Sequence, residues 1–184
     1  MTTLAGFTKA CSAHTPGVSE IWLGDKVAFT SGVLAANLVT GTTQVLAKWE
    51  HDIDGINVTQ TPTGTKGGLF SVEKTIEFKI SKINNNLLTS LRDLSNYSAC
   101  GICAVYQTNN GEWFVSGMEA ETATALSMDR GLYFESGEMK TGNELNEEDA
   151  DMITFSLKGT FRTFDFEVSD ATAITVSATG IALA

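Results

Sequence analysis

The segment from Phe70 to Ile80 constrains the fold most, because its apolar and polar residues alternate. A period of two places successive side chains on opposite faces of an extended chain. The segment therefore predicts a β-strand with one buried face and one exposed face, and Lys74 is the one residue that breaks the pattern. The apolar positions are Val72, Ile76, Phe78 and Ile80, and the polar positions are Glu73, Thr75, Glu77 and Lys79.

The next segment changes to helical spacing. Asn84, Asn85 and Asn86 are good N-cap residues, and the apolar residues after them fall on one face of a helix. We therefore predict one α-helix over residues 84–96. The apolar set is Ile83, Leu87, Leu88, Leu91 and Leu94.

Paired segments beyond the helix predict β-hairpins. Thr108 to Gly111 separates two alternating runs, and its Asn-Gly step favours a tight turn whose central residues adopt positive φ. A second hairpin is expected around a turn near Lys158 and Gly159. The expected strands contain Ile102, Ala104 and Tyr106 with Trp113 and Val115, and then Ile153, Phe155 and Leu157 with Phe164, Phe166 and Val168.

The remaining segments have weaker patterns. Ile21 to Leu23 and Val27 to Phe29 predict a short hairpin, and Thr43 to Trp49 predicts a strand. The end of the chain, Ala173 to Leu183, is small and β-branched and is expected to add a strand or an arm. Three segments look irregular, the last of them acidic: Thr61 to Gly68, Gly117 to Arg130 and Glu135 to Asp149.

Composition limits the class of protein. The chain has 184 residues, 42% of them hydrophobic, which suits one compact domain over residues 1–184. Its formal charge of -10, from 22 acids and 12 bases, argues against tight binding of nucleic acid. The sequence contains no apolar stretch that could span a bilayer and begins without a secretory signal, so we expect synthesis in a cytoplasm with reduced cysteines.

The usual enzymatic motifs are missing, so we predict no catalytic residues. His14 and His51 lie far from any nucleophile motif. In Gly64 to Gly68 the lysine precedes the glycines and a strand follows, whereas a P-loop ends in Gly-Lys-Ser/Thr and opens a helix.

A metal site is the sharpest chemical alternative. Cys11, His14, Cys100 and Cys103 together form a possible Cys3His zinc set. An odd offset along a strand points Cys100 and Cys103 to opposite faces, so we favour buried structural thiols and predict no metal or cofactor. Asp52 to Asn57 resembles half of a calcium loop but lacks its third ligand and terminal glutamate, which favours an Asx-type turn.

The three tryptophans are the other candidate binding residues. Trp22, Trp49 and Trp113 are of the type that lines carbohydrate or base platforms. Trp113 lies in a predicted hairpin strand, where core packing or a subunit interface is more usual than a ligand shelf.

The order of elements resembles the major tail (tail tube) proteins of long-tailed phages, particularly those of Bacteroidetes phages. The resemblance covers half to two thirds of the chain as pattern similarity. It is carried by Phe70 to Ile80, Leu87 to Leu91, Asn109 to Gly117, Asp129 to Tyr133 and Phe155 to Gly159, with Cys11 and Pro16 to Val18 near the start.

The resemblance implies a fold and a function. The expected fold is a mainly β domain, a β-sandwich or half-barrel flanked by one α-helix, with an amino-terminal arm and long loops. The expected protein is a virion component, made in the host cytoplasm, that forms a homo-oligomer of stacked hexameric rings. DNA would pass through the lumen without specific binding, and tape measure, terminator and distal tail proteins would be partners.

The resemblance also directs attention to one loop. We predict that Gly64, Thr65, Lys66, Gly67 and Gly68 form an inter-subunit assembly loop, together with the amino-terminal arm. Other assignments stay open: a tail terminator or adaptor, a capsid decoration protein, or a small zinc-binding or carbohydrate-binding β module.

Overall fold

The computed structural model describes most of the chain. The described residues are 16–25, 33–35, 38–40, 44–52, 54–64, 68–81, 83–120, 126–127, 130–140, 152–168 and 181–183. Among them lie fourteen strands and one helix, so the chain is mainly β with one helix, as predicted.

Eight strands form one sheet, which we call the large sheet. Its order is β14-β4-β1-β7-β8-β13-β3-β2, with antiparallel neighbours except for the parallel pair β13 and β3. The strands are β1 (Val18–Asp25), β2 (Val33–Ala35), β3 (Leu38–Thr40), β4 (Gln44–Trp49), β7 (Ile102–Thr108), β8 (Trp113–Ser116), β13 (Phe166–Val168) and β14 (Ile181–Leu183).

Four long strands form a second, antiparallel sheet, which we call the small sheet. Its order is β11-β12-β6-β5, and a two-stranded ribbon of β9 (Glu119–Ala120) and β10 (Leu126–Ser127) stands apart from both sheets. The strands of the small sheet are β5 (Ile56–Gly64), β6 (Phe70–Ser81), β11 (Tyr133–Lys140) and β12 (Met152–Phe161).

The two sheets share a hydrophobic core, which gives a sandwich-like arrangement. Phe78 and Phe155 are neighbours across β6 and β12 and stack with their ring centroids 4.4 Å apart. Trp49 of the large sheet meets both rings edge-on, at 6.2 Å and 5.6 Å. This aromatic cluster spans the gap between the sheets.

The large sheet is also buried on its other face. Trp22 and Trp113 stack there with centroids 4.7 Å apart, and Val105 and Val115 are fully buried. Every residue from Ile102 to Tyr106 is therefore buried, although the strand alternates its side chains between the two faces.

The helix α1 (Asn85–Ser98) confirms the prediction made from its spacing. Asn84 is the N-cap, and its Oδ1 accepts a hydrogen bond of 2.8 Å from the Leu87 amide. Leu94 is buried in the core, and the Ser98 hydroxyl accepts a hydrogen bond from the Phe134 amide at 2.6 Å. These contacts fix the helix beside β11.

The hairpin of β7 and β8 is confirmed, but its turn differs from the prediction. Gly111 has a φ of 89°, whereas Asn110 does not have positive φ; Asp54 is the one described non-glycine residue that does. The Thr108 amide bonds to the carbonyl of Glu112, and the Gly111 amide bonds to that of Thr108. Three residues, Asn109 to Gly111, therefore lie between Thr108 and Glu112, one more than in the predicted two-residue turn, and the last of them is the glycine with positive φ.

The predicted hairpin around Lys158 and Gly159 is wrong. Residues Met152–Phe161 form one continuous strand, and Phe166–Val168 instead pairs with β8 and β3 of the large sheet. A Cβ at position 159 would lie 2.5 Å from the Phe161 ring, so this glycine makes room for a side chain rather than for a turn. The chain crosses between sheets after Phe161.

Three segments expected to be irregular contain strands. Thr61 to Gly64 belong to β5, residues 135–140 belong to β11, and Gly117 to Arg130 includes the β9–β10 ribbon. The side chains of β5 and β11 are mostly polar, so these segments lack the apolar alternation from which a strand is predicted. Edge strands can form without it, because they bury little apolar surface. Residues 65–67 and 141–151 lie outside the described residues.

The first half partly follows the predictions. Gln44–Trp49 is the expected strand, and Ile181–Leu183 adds a short strand beside it. Ile21 to Leu23 lie in β1, which pairs with β4 and β7; the expected partner, residues 27–29, lies outside the described part of the chain.

We expect Phe155→Ala to lower the free energy of unfolding by about 3–5 kcal/mol, because it removes the ring that contacts Trp49, Phe78 and Phe134. Thr160→Ser, on the exposed face of the same strand, should stay within about 0.5 kcal/mol. Urea unfolding followed by tryptophan fluorescence measures both. A loss below about 1 kcal/mol for Phe155→Ala would contradict a core built on this cluster.

Candidate functional site

The small sheet turns one face away from the core, and this polar face is the first candidate site. Strand β6 alternates buried and more exposed residues along its length, so the registers define which residues share the outer side. Hydroxyl and amide side chains dominate it, while Tyr133 and Met152 are its larger apolar members. The uncharged polar members are Asn57, Thr59, Thr61, Thr63, Ser71, Thr75, Ser81, Ser136, Thr154, Ser156 and Thr160.

Charges on the polar face are almost balanced. Lys158 lies 3.2 Å from Glu135 and 3.3 Å from Glu73, and hydrogen bonds to these two carboxylates raise the pKa of the lysine. Ser136 and Ser156 share a hydrogen bond of 2.9 Å between their hydroxyls. The charged members are Glu73, Glu77, Glu135 and Glu138 against Lys79, Lys140 and Lys158.

Both borders of the small sheet are long strands. Among the described strands, β5 pairs only with β6, and β11 pairs only with β12. Strand β5 has nine residues and β11 has eight, and both are exposed over most of their length. Pro62 lies on β5, as expected for a border strand. On β11 the Phe134 amide already donates to Ser98, and the remaining length of each border presents backbone donors and acceptors that another strand can use.

An exposed apolar patch lies where β5 turns into β6. Gly64 pairs with Phe70 at the end of this hairpin. Leu69 is 75% exposed, and Phe70 and Phe164, with ring centroids 5.8 Å apart, are about half exposed. We call Leu69, Phe70 and Phe164 the tip patch.

The predicted assembly loop lies beside the tip patch. Gly64 ends β5, and Gly68 has a φ of 79° with open space around its Cβ position. Thr65, Lys66 and Gly67 lie outside the described residues. A role for Gly64 to Gly68 in assembly stays a prediction.

The structure separates the two cysteines of the possible zinc set that it describes. Cys103 is fully buried and its thiol contacts the Gly24 carbonyl at 3.5 Å, which confirms it as a core thiol. Cys100 is exposed in the turn after α1, so the prediction of a buried thiol is wrong there. Within the described residues, no group of three or more His, Cys, Asp and Glu could hold a metal. Cys11 and His14 lie outside them.

The calcium-like segment forms a turn. The Gly55 amide donates to the Asp52 carbonyl at 2.8 Å, and Asp54 has a φ of 59°. The Asp52 carboxylate accepts from the amide and hydroxyl of Ser81, at 2.7 Å and 2.9 Å. Asp52 therefore ties the turn to the end of β6, in place of the local Asx contact that we expected.

The tryptophans lie in packed layers. Trp22, Trp49 and Trp113 are each at most 9% exposed, so their ring faces are covered. Trp113 was expected in the core or at a subunit interface rather than on a ligand shelf, and its burial places it in the core.

A buried ion pair is the second candidate site, and the sequence showed only one half of it. Lys74 Nζ lies 2.8 Å from Asp165 Oδ1, with side-chain exposures of 0% and 1%. The two opposite charges are thus in direct contact and shielded from water. Lys74 Nζ also lies 4.6 Å from the centre of the Phe161 ring.

Neighbouring groups complete this centre. The Tyr106 hydroxyl donates a hydrogen bond of 2.8 Å to the other carboxylate oxygen, Oδ2 of Asp165, and the Asp165 amide donates to Oε1 of Gln60 at 2.9 Å. Burial lowers the pKa of Lys74, while the charges of Asp165 and Glu119 oppose that change. Burial and the Asp165 carboxylate both raise the pKa of Tyr106. The centre joins β5, β6, β7 and the crossover between the sheets.

Sequence reasoning found Lys74 as a break in an apolar face but gave no partner for it. Asp165 lies in a segment whose pattern predicts a hairpin strand, and the pattern around Tyr106 predicts only that it is a strand residue. A charged residue at an inward position signals a buried partner of opposite charge, although it does not say which residue that is.

No protein-family model, curated protein or solved structure matches the chain. Among the described residues, no helix has the length and hydropathy of a membrane span.

We expect Tyr106→Phe to cost about 1–3 kcal/mol, because it removes the hydrogen bond that a described residue donates to the buried Oδ2 of Asp165. Since folding raises the pKa of Tyr106, its ionisation opposes folding above the ordinary value of 10.0. The penalty of the variant should be constant below that pH and shrink above it. Tyr97→Phe, on the exposed part of α1, is the matched control; urea unfolding at several pH values tests both. Equal, small effects of the two changes would contradict the role given to Tyr106.

Proposed function

We propose that this protein is a structural subunit of a phage tail tube, in which copies join border to border into rings and the rings stack. The observation that carries the proposal is the small sheet: one face in the core, one polar face, and two long borders without a described partner. The resemblance of the sequence pattern to major tail proteins points the same way.

Ring formation follows from the two unlike borders. Strand β11 of one copy would lie beside β5 of the next, which is a head-to-tail contact that closes when the rotation between copies closes. Pairing would satisfy the backbone groups of both borders and continue the small sheet from copy to copy. Six copies, the number that the resemblance implies, would enclose a lumen lined by the polar faces.

The polar face suits a surface past which DNA moves. Phosphates bind to clustered Lys and Arg, and here Lys158 already contacts two carboxylates. Hydroxyl groups and nearly balanced charge give no strong attraction, and the aromatic surface for stacking bases is limited to Tyr133. The overall acidic balance of the chain adds a weak repulsion of the phosphate backbone.

Stacking of rings would use the tip patch and the adjacent loop. An exposed leucine beside two half-exposed phenylalanines at the end of a hairpin has the character of an interface anchor. In the assembled tail, tape measure, terminator and distal tail proteins would bind the tube, as the resemblance implies.

Ring formation is tested by Thr61→Lys, which adds a long charged side chain to the border strand β5. The wild-type chain at high concentration should give rings or tubes of uniform diameter by size-exclusion chromatography and negative-stain microscopy. Thr61→Lys should reduce them strongly, while Thr160→Lys, exposed on the same face of the central strand β12, should not. A wild-type chain that stays monomeric at all concentrations would refute the proposal.

Stacking is tested separately by Leu69→Asp. Because Leu69 is 75% exposed, the change should leave stability within about 0.5 kcal/mol while it places a charge in the tip patch. We expect single rings to persist and tubes to shorten or vanish under the microscope. Tubes of wild-type length would show that the tip patch has no part in stacking.

A further inference from the structure

We propose that Lys74 and Asp165 condense to an intramolecular isopeptide bond, so that a side-chain amide links β6 to the crossover between the sheets. The idea does not depend on the proposed assembly. It rests on the position, burial and surroundings of the two groups.

Proximity is the first argument. The amine nitrogen and a carboxylate oxygen are 2.8 Å apart. Two core residues contact the pair: the Phe161 ring lies beside the Lys74 amine, and the Tyr106 hydroxyl bonds to Asp165. Cγ, the atom that nitrogen attacks, is one bond beyond the carboxylate oxygen. Intramolecular groups whose reacting atoms align reach effective molarities of about 10⁵–10⁸ M, which offsets the low reactivity of a carboxyl group toward an amine.

Burial is the second argument. Both side chains are at most 1% exposed, and two charges in such a place pay a large desolvation cost. Burial lowers the pKa of Lys74, which favours the neutral amine that acts as a nucleophile. An amide replaces two charges by one neutral group.

The Tyr106 hydroxyl supplies the third argument. It donates to Oδ2 of Asp165 at 2.8 Å, and its raised pKa keeps it protonated as a donor. When nitrogen attacks Cγ, the carbonyl electron pair moves to one oxygen, and a donor already aimed at that atom stabilises the charge. The donor is in place before the reaction.

The atoms balance without any further reactant. A proton passes from the ammonium of Lys74 to Oδ1, and Nζ then attacks Cγ while the electron pair of the C=Oδ2 bond moves to Oδ2. A second proton passes from nitrogen to Oδ1, which leaves as water, and the C=Oδ2 bond re-forms. The product is an amide with one N–H, and one water is released.

The closed bond would join residues that lie in different parts of the chain. Lys74 belongs to the centre of the small sheet, and Asp165 immediately precedes β13 of the large sheet. A covalent link across such a loop restricts the unfolded chain, as a disulfide does, and resists forces that would separate the sheets.

Intact mass spectrometry of the full, purified chain under denaturing conditions tests the proposal. The wild type should be lighter than its sequence by one water, and proteolysis should release a branched peptide joining Lys74 to Asp165. Lys74→Arg, which keeps the positive charge but lacks the reactive amine, should have its full sequence mass. Lys79→Arg on the exposed face of β6 should keep the deficit.

Two results would overturn the proposal. One is a wild-type chain of full sequence mass after prolonged incubation in the folded state. The other is a water deficit that persists in Lys74→Arg, since a succinimide formed by Asp165 with its own backbone would explain it. Because the wild-type measurement decides by itself, the test stands even if Lys74→Arg folds poorly.

Discussion

The register between β6 and β12 is the constraint on which the rest of the structure depends. The pairs run from Ser81 and Met152 to Val72 and Phe161, without a shift along the way. Since side chains alternate along each strand, a slip of β12 by one residue against β6 would turn Phe155 outward and bring Thr154 or Ser156 into the core beside Phe78. The correct register produces an apolar face for the large sheet and a polar face for the surroundings at the same time.

Strand β6, helix α1 and the β7–β8 hairpin follow from the sequence, because the sequence signals for them are local. Alternation along Phe70 to Ile80, the N-cap at Asn84 and the Asn-Gly step before Trp113 each depend on residues close together in the chain. The predictions were wrong where the conformation of a residue depends on a neighbour that its local sequence does not indicate. Gly159 accommodates the ring of Phe161, and Thr61 to Gly64 form a strand only because β6 lies beside them. Composition alone gives such residues the appearance of a turn or a loop.

The candidate sites show the same division. The border strand β5 was not predicted over its full length, because its threonines are as typical of a loop as of a strand. The role of Asp165 was not predicted either, because nothing near it in the sequence links it to Lys74. Lys74 itself stood out as an interruption, and that interruption marked the one buried ion pair among the described residues. Lys74, which interrupts the apolar alternation of β6, therefore indicated the candidate chemical site, whereas the alternation itself indicated only the strand.

Both sheets combine hairpins with pairs of strands that are remote in the chain. Strands β5 and β6 form a hairpin, as do β7 and β8, whereas Phe78 lies beside Phe155 and Ile21 beside Tyr106. Contacts between remote segments close slowly, because a long loop must lose its freedom first. The β5–β6 hairpin can thus form while the large sheet is incomplete, and during that interval its exposed border is open to any chain nearby. Dilution and slow synthesis should favour correct maturation of the monomer.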